Sequence, residues 1–154
     1  MVWITALVFA ADRLSKFWAY HDLRLESGGS IPLWPDVLHL TYAQNTGMAF
    51  SMFPGQRLFL ILIPLFISVG ILVAQARART QPRYPRVLGW MILGGALGNL
   101  YDRVFYGFVV DFVEIKLFRF AIFNLADSFL CVASVLLAGW ILWADRHGAN
   151  LKHE

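Results

Sequence analysis

Apolar residues run through this chain in four long stretches, 2–20, 58–76, 87–104 and 122–143. Each comes close to the roughly 17–25 mostly apolar residues that a helix needs to cross a ~30 Å hydrocarbon layer. The pattern predicts an all-α membrane protein, a single polytopic domain over residues 1–154 with four transmembrane helices. The connectors between the stretches are unequal. The first, 20–57, is ~38 residues long, where helix–helix connections usually take 2–8. It holds Gly28-Gly29-Ser30, Pro32 and Pro35, then a strand-like run over 37–42. Leu33-Trp34 and the stretch Phe50–Phe53 add apolar surface suited to the bilayer interface. Residues 107–115, between the third and fourth stretches, also read as strand. A small β-sheet outside the membrane, lying over the helices, is therefore expected.

Composition strengthens the membrane reading, since 58% of the residues are hydrophobic and 15% charged, against about 25% charged in soluble domains. Intrinsic disorder and a soluble Rossmann-type enzyme are excluded, and a single cysteine, Cys131, excludes a disulfide scaffold. The net charge of +3 does not call for nucleic acid as a partner, because the positive charge sits where topology would put it. Arg77, Arg79, Arg83 and Arg86 fall in one connector without an acid, which the positive-inside rule places in the cytoplasm. Both termini are then cytoplasmic, and 20–57 and 105–121 lie on the outer side. The first stretch is not a cleavable signal peptide: it lacks a basic leader and carries Asp12, Arg13 and Lys16.

An ionisable residue at the centre of a membrane helix costs ~2.5–3.5 kcal/mol on insertion scales, so each one asks for a reason. Asp12 and Lys16, four apart, can pair on one helix face and tie the first helix into a bundle. Gly94 and Gly98 form a small-xxx-small pair that lets helices approach closely. Asn99 shares a face with Asp102 and Arg103, residues open to either a structural Asp102–Arg103 network or direct chemistry. Asn124 and Asp127 share a face near the outer end of the fourth stretch. With that helix starting near 122, Asp127 lies ~8 Å inside it. No Lys or Arg stands within four residues of Asp127, so it needs a partner from elsewhere.

Two carboxylates brought together in a partly dry site tend to share one proton. One then acts as general base on water while the other polarises a carbonyl. Residue types alone allow Asp111–Asp127, Asp102–Asp127 or Asp12–Asp127. Competing chemistries find less support. His21, His39, His147 and His153 lie outside the apolar stretches or at their ends, and there is no H-E-x-x-H or G-x-G-D motif. Cys131 reads as a small core residue with no histidine to activate it. No metal and no cofactor are called for.

Five blocks in one order carry a resemblance. They are Asp12-Arg13-Leu14-Ser15-Lys16, Asn45-Thr46-Gly47-Met48-Ala49-Phe50, Gly94-Gly95-Ala96-Leu97-Gly98-Asn99-Leu100-Tyr101-Asp102-Arg103, Val109-Val110-Asp111-Phe112 and Phe123-Asn124-Leu125-Ala126-Asp127-Ser128. In these the chain resembles the lipoprotein signal peptidases (signal peptidase II), aspartic proteases of the bacterial inner membrane. The resemblance implies four membrane helices, an outer sheet forming a cradle, and a short interfacial helix. It makes Asp111 and Asp127 the catalytic pair. It has Asn45, Gly47, Asn99, Arg103 and Asn124 lining or orienting the site, with Asp12 and Lys16 supporting the bundle. The implied substrates are diacylglyceryl-modified prolipoproteins, cut just before the lipidated cysteine near the outer face. Membrane lipids are the other partners, and a monomer is expected. Two other readings stay open: a small four-span ion-coupled transporter with Asp12 binding a cation or proton, and a structural membrane protein whose polar residues only glue helices together.

Overall fold

A computed structural model describes residues 1–47, 56–77, 82–117 and 120–150. In chain order it contains helix α1 (Val2–His21), two 3₁₀ turns (Leu23–Leu25 and Ser27–Gly29), strands β1 (Ser30–Trp34) and β2 (Leu38–Asn45), helices α2 (Arg57–Arg77) and α3 (Arg83–Phe105), strand β3 (Val109–Ile115) and helix α4 (Leu125–Asn150). Each of the four apolar stretches is thus largely a helix. Among the described residues, two windows are long and apolar enough to cross a membrane, Leu58–Arg77 and Leu125–His147, with mean hydropathy 2.6 and 2.0. Only 17% and 11% of these windows is buried inside the protein, so their apolar surface faces outward, unlike that of a soluble protein's core helix. The other two helices miss that composition because charged residues stand inside them. Those residues point inward: Asp12, Lys16 and Asp102 are at most 2% exposed, while Leu7, Leu14 and Phe17 of α1 face out.

Helix α3 is central and touches α1, α2 and α4. Glycine makes this possible. A Cβ on Gly94 would stand 2.7 Å from the Cβ of Val8, one on Gly95 would stand 2.7 Å from the carbonyl oxygen of Ala126, and one on Gly98 would run into the carboxylate of Asp12. Gly94 and Gly98 therefore act as the expected small pair toward α1, and Gly95 beside them admits α4. Helix α2 is latched to α3 by Gln75, whose Nε2 donates to the carbonyl of Arg86 at 2.7 Å.

The sheet is antiparallel in the order β1-β2-β3. Strand β1 is not legible as a strand, because Pro32 cannot donate to a ladder; as an edge strand β1 tolerates it. The hairpin turns at Trp34-Pro35-Asp36-Val37, with Asp36 at φ 61 and Val37 N–H donating to Trp34 O at 3.1 Å. Proline second and a left-handed third residue is the type II arrangement. Strand β2 runs past the expected 42 to Asn45, which lies opposite Val109 of β3.

On the other side of β3, Phe123 forms a bridge to Val113, with N–H···O distances of 3.0 and 2.8 Å. That engagement keeps 122–124 out of the last helix. Helix α4 starts at Leu125, three residues later than the apolar pattern predicts, and Asp127 sits in its first turn rather than ~8 Å inside it. Between α1 and α2 the described residues hold the two 3₁₀ turns, β1 and β2 and no further α-helix; Phe50–Phe53 and Arg79 lie outside the described residues.

Candidate active site

The geometry starts with a helix cap. Asn124 precedes α4, and its Oδ1 accepts the N–H of Asp127 at 2.9 Å, while Asp127 Oδ2 accepts the N–H of Asn124 at 3.3 Å. This is a reciprocal capping box, built here from Asn and Asp. The remaining polar atoms of both residues turn inward. Asn124 Nδ2 donates to Asp111 Oδ1 at 2.6 Å and to Asn99 Oδ1 at 3.2 Å. Asn99 Nδ2, from α3, donates to Asp127 Oδ1 at 2.7 Å.

From the sheet side, Asn45 Nδ2 donates to Asp111 Oδ2 at 3.0 Å, and Asn45 Oδ1 accepts the N–H of Gly47 at 3.0 Å. Gly47 O in turn accepts from Arg103 Nη2 at 3.2 Å. The seven residues singled out around a carboxylate pair, Asn45, Gly47, Asn99, Arg103, Asp111, Asn124 and Asp127, are thus one connected hydrogen-bonded group. Asp111 is 2% exposed and Asn124 is fully buried. Burial, and after it the negative charge of Asp127, pushes the Asp111 carboxyl up to about 6, against the hydrogen bonds of Asn124 and Asn45 and the charge of Lys16.

Both carboxylates line a groove of about 670 Å³ that also takes in Arg103, Phe120, Leu130 and Cys131. Cys131 is exposed on the groove wall, one turn along α4 from Asp127. The sequence places it in the core, and the late start and outward face of α4 explain the difference. A larger hollow of about 800 Å³ lies between α1 and α3 and is walled mainly by aromatic rings. Its lining includes neither Asp111 nor Asp127.

Asp12 and Asp102 belong to a different cluster. Lys16 Nζ is 3.0 Å from Asp12 Oδ2 and 3.0 Å from Asp102 Oδ2, and Arg13 reaches Asp102 at 2.6 Å and Asp12 at 3.2 Å. The ion pairs of Asp102 therefore go to α1, not into an Asp102–Arg103 network. Each acid also caps backbone: Asp12 Oδ1 accepts Ala126 N–H at 3.1 Å, and Asp102 Oδ2 accepts Val110 N–H at 3.3 Å. Arg13, which also lies over the ring of Tyr101 at 4.7 Å, is the participant sequence reasoning missed. The available signal was a count: two acids and only one chosen base at matching depth.

A helical bundle with a small sheet over one end and two amide-held carboxylates beside a groove is the build of a membrane enzyme. Two solved bacterial membrane enzymes, determined by the in meso method at 2.3 and 1.9 Å, share the fold with TM-scores of 0.80 and 0.76. They are 27% and 28% identical, and the matches cover 94% and 92% of this chain and 88% and 91% of theirs. The family model for signal peptidase (SPase) II matches residues 4–143. A lipoprotein signal peptidase of Desulfitobacterium hafniense is 40% identical over 95% of each chain, and one of Trichormus variabilis is 38% identical over 89% of this chain and 86% of its own. The chain belongs to the signal peptidase II family, a family of peptidases.

Proposed function

We propose that the protein is an aspartic endopeptidase of the bacterial inner membrane that removes signal peptides from diacylglyceryl-modified prolipoproteins, cutting before the lipidated cysteine. The observation that carries this is the pair Asp111 and Asp127, held by neutral amides beside an apolar groove. All four helices span the bilayer in this reading, α1 and α3 hiding their charges against each other. The termini and the α2–α3 connector are cytoplasmic, and the sheet lies outside. No metal or cofactor takes part, and the enzyme works as a monomer.

Asp111, with its raised affinity for protons, holds the shared proton and polarises the scissile carbonyl. Asp127 takes a proton from water, whose oxygen adds to the carbonyl carbon. Arg103 and the asparagine amides are the donors this reading offers to the oxyanion. Collapse breaks the C–N bond, with the proton gained by Asp127 passing to the leaving amine. The products are a signal peptide carboxylate and a lipidated cysteine with a free amine. The acyl chains hold the bond at the depth of the groove, each buried CH₂ contributing about 0.8 kcal/mol.

The test uses purified protein in lipid and one peptide sequence with and without diacylglycerol on its cysteine. Cleavage of the lipidated form before the cysteine, orders of magnitude faster in kcat/KM than that of the bare form, is expected. Comparable values for the two would overturn the substrate assignment, and full cleavage by Asp127→Asn would overturn the mechanism. The transporter reading loses its cation site, because Asp12 is fully buried and bonded to Arg13, Lys16 and Ala126 N–H.

A further inference from the structure

We propose that Lys16 is a positioning residue for the peptidase chemistry: it locks the side-chain amide of Asn99 in the one orientation that aims an N–H at Asp127. The proposal rests on the aspartic peptidase reading above and adds to it a device that touches neither substrate nor the reacting atoms.

An asparagine amide has a donating and an accepting end of nearly the same shape, so its neighbours decide which way it points. An ammonium can only donate. Lys16 Nζ lies 2.8 Å from Asn99 Oδ1, and Asn99 Nδ2 lies 2.7 Å from Asp127 Oδ1. A flipped amide would set NH₂ against the ammonium and an oxygen against the carboxylate, replacing two charge-assisted hydrogen bonds with two repulsions. The second amide of the site, Asn124, is fixed by another group that cannot change role, the backbone N–H of Asp127 on its Oδ1. With both amides fixed, each aspartate faces N–H donors whatever the substrate does. A carbonyl oxygen held by a cation also polarises its own amide, which strengthens the N–H toward Asp127.

Charge balance alone does not account for Lys16. Its three N–H bonds meet three acceptors, Asp12 Oδ2, Asp102 Oδ2 and Asn99 Oδ1. Arg13 already contacts both acids, and the third donor of Lys16 goes to a neutral amide at the edge of the site. Lys16 is 2% exposed.

The experiment pairs Lys16→Met with Asp102→Asn, which keeps the ion cluster neutral as Asp12 and Arg13. With lipidated substrate, the double variant is expected to lose at least thirtyfold in kcat with KM within threefold of wild type. Adding Asn99→Ala should cost little more, since without Lys16 only the neutral Asn124 Nδ2, at 3.2 Å, is left on Asn99 Oδ1 to hold the amide in place. A folded double variant with kcat within threefold of wild type, or a full multiplicative loss on adding Asn99→Ala, would overturn the proposal. Asn99→Asp decides the matter if the double variant does not fold: it keeps the Lys16 contact as an ion pair but points no N–H at Asp127. Its kcat should fall as far as that of Asn99→Ala, and an intact kcat would overturn the proposal. Asp127→Asn assayed alongside separates the two levels. Cleavage by that variant overturns the peptidase mechanism, whereas its inactivity beside a fully active double variant overturns only the role of Lys16.

Discussion

The bundle contains two pairs of aspartates with opposite surroundings. Asp12 and Asp102 each contact both Arg13 and Lys16, and each spends its remaining acceptor capacity on a backbone N–H. Asp111 and Asp127 receive asparagine amides and, at Asp127, one backbone N–H. A buried carboxylate bonded to two cations serves as a fastener. One held by neutral donors stays able to gain and lose a proton. The residue type is the same in all four cases, and the partners are what distinguish the pair proposed as catalytic from the pair that fastens α1 to α3.

Exchanging acid for amide should affect the two pairs in opposite ways. Asp111→Asn and Asp127→Asn should each lower kcat by about 10³-fold or more, in the upper part of the range for acid–base groups, while the purified protein melts no lower than wild type. A variant of either kind that cleaves at near-normal rate would remove the pair from the mechanism. Asp12→Ala should do the reverse, costing about 3–5 kcal/mol of stability as a buried charge cluster loses a partner, with activity preserved per folded molecule. Asp102→Asn alone should show a smaller loss of the same kind. An Asp102→Asn protein that is stable and inactive would place Asp102 in the chemistry.

The proton on Asp111 gives a sharper form of the same contrast. Its folded carboxyl titrates near 6 against an ordinary 3.8, so the folded state holds a proton that the unfolded chain releases between those values. Stability contributed by this group is full below about pH 4 and is lost as pH rises through 6, on the order of 3 kcal/mol. Asp111→Asn should therefore be stabilised relative to wild type above pH 6, and the difference should vanish near pH 4 in thermal melts. A pH-independent difference would contradict the assignment.

Smaller effects test the packing. Gly98→Ala drives a methyl into the Asp12 carboxylate and should cost about 1–3 kcal/mol. Gly139→Ala, where an added Cβ meets nothing within 4 Å, should be neutral or slightly stabilising. Least of all, Cys131→Ala should leave cleavage unchanged. A bulky thiol reagent on Cys131 should nevertheless raise KM for lipidated substrate by filling the groove wall.

The length of the apolar stretches made the four helices legible, and strand-like runs made β2 and β3 legible. The pattern failed where a local rule was overridden by pairing. Pro32 hid an edge strand, and Phe123, apolar and next to an apolar run, was drawn into the helix although β3 claims its backbone. The site residues were legible as residue types, but spacing left three possible aspartate pairs. Which acids the cations of α1 reach across the bundle is a property of helix packing and was not legible in the spacing. Arg13 escaped notice for that reason, since only with α1 set against α3 does it meet Asp102.

The hydrogen bond from Ala126 N–H to Asp12 Oδ1 joins residues 114 apart in the chain. Helix α1 is made early in synthesis and α4 late, so the carboxylate pair proposed as catalytic is assembled last. Until α4 is in place, Asn124 and Asp127 are absent and Asp12 has no helix end to hold. In the proposed peptidase the carboxylate pair, and with it any activity, is therefore complete only when the bundle is.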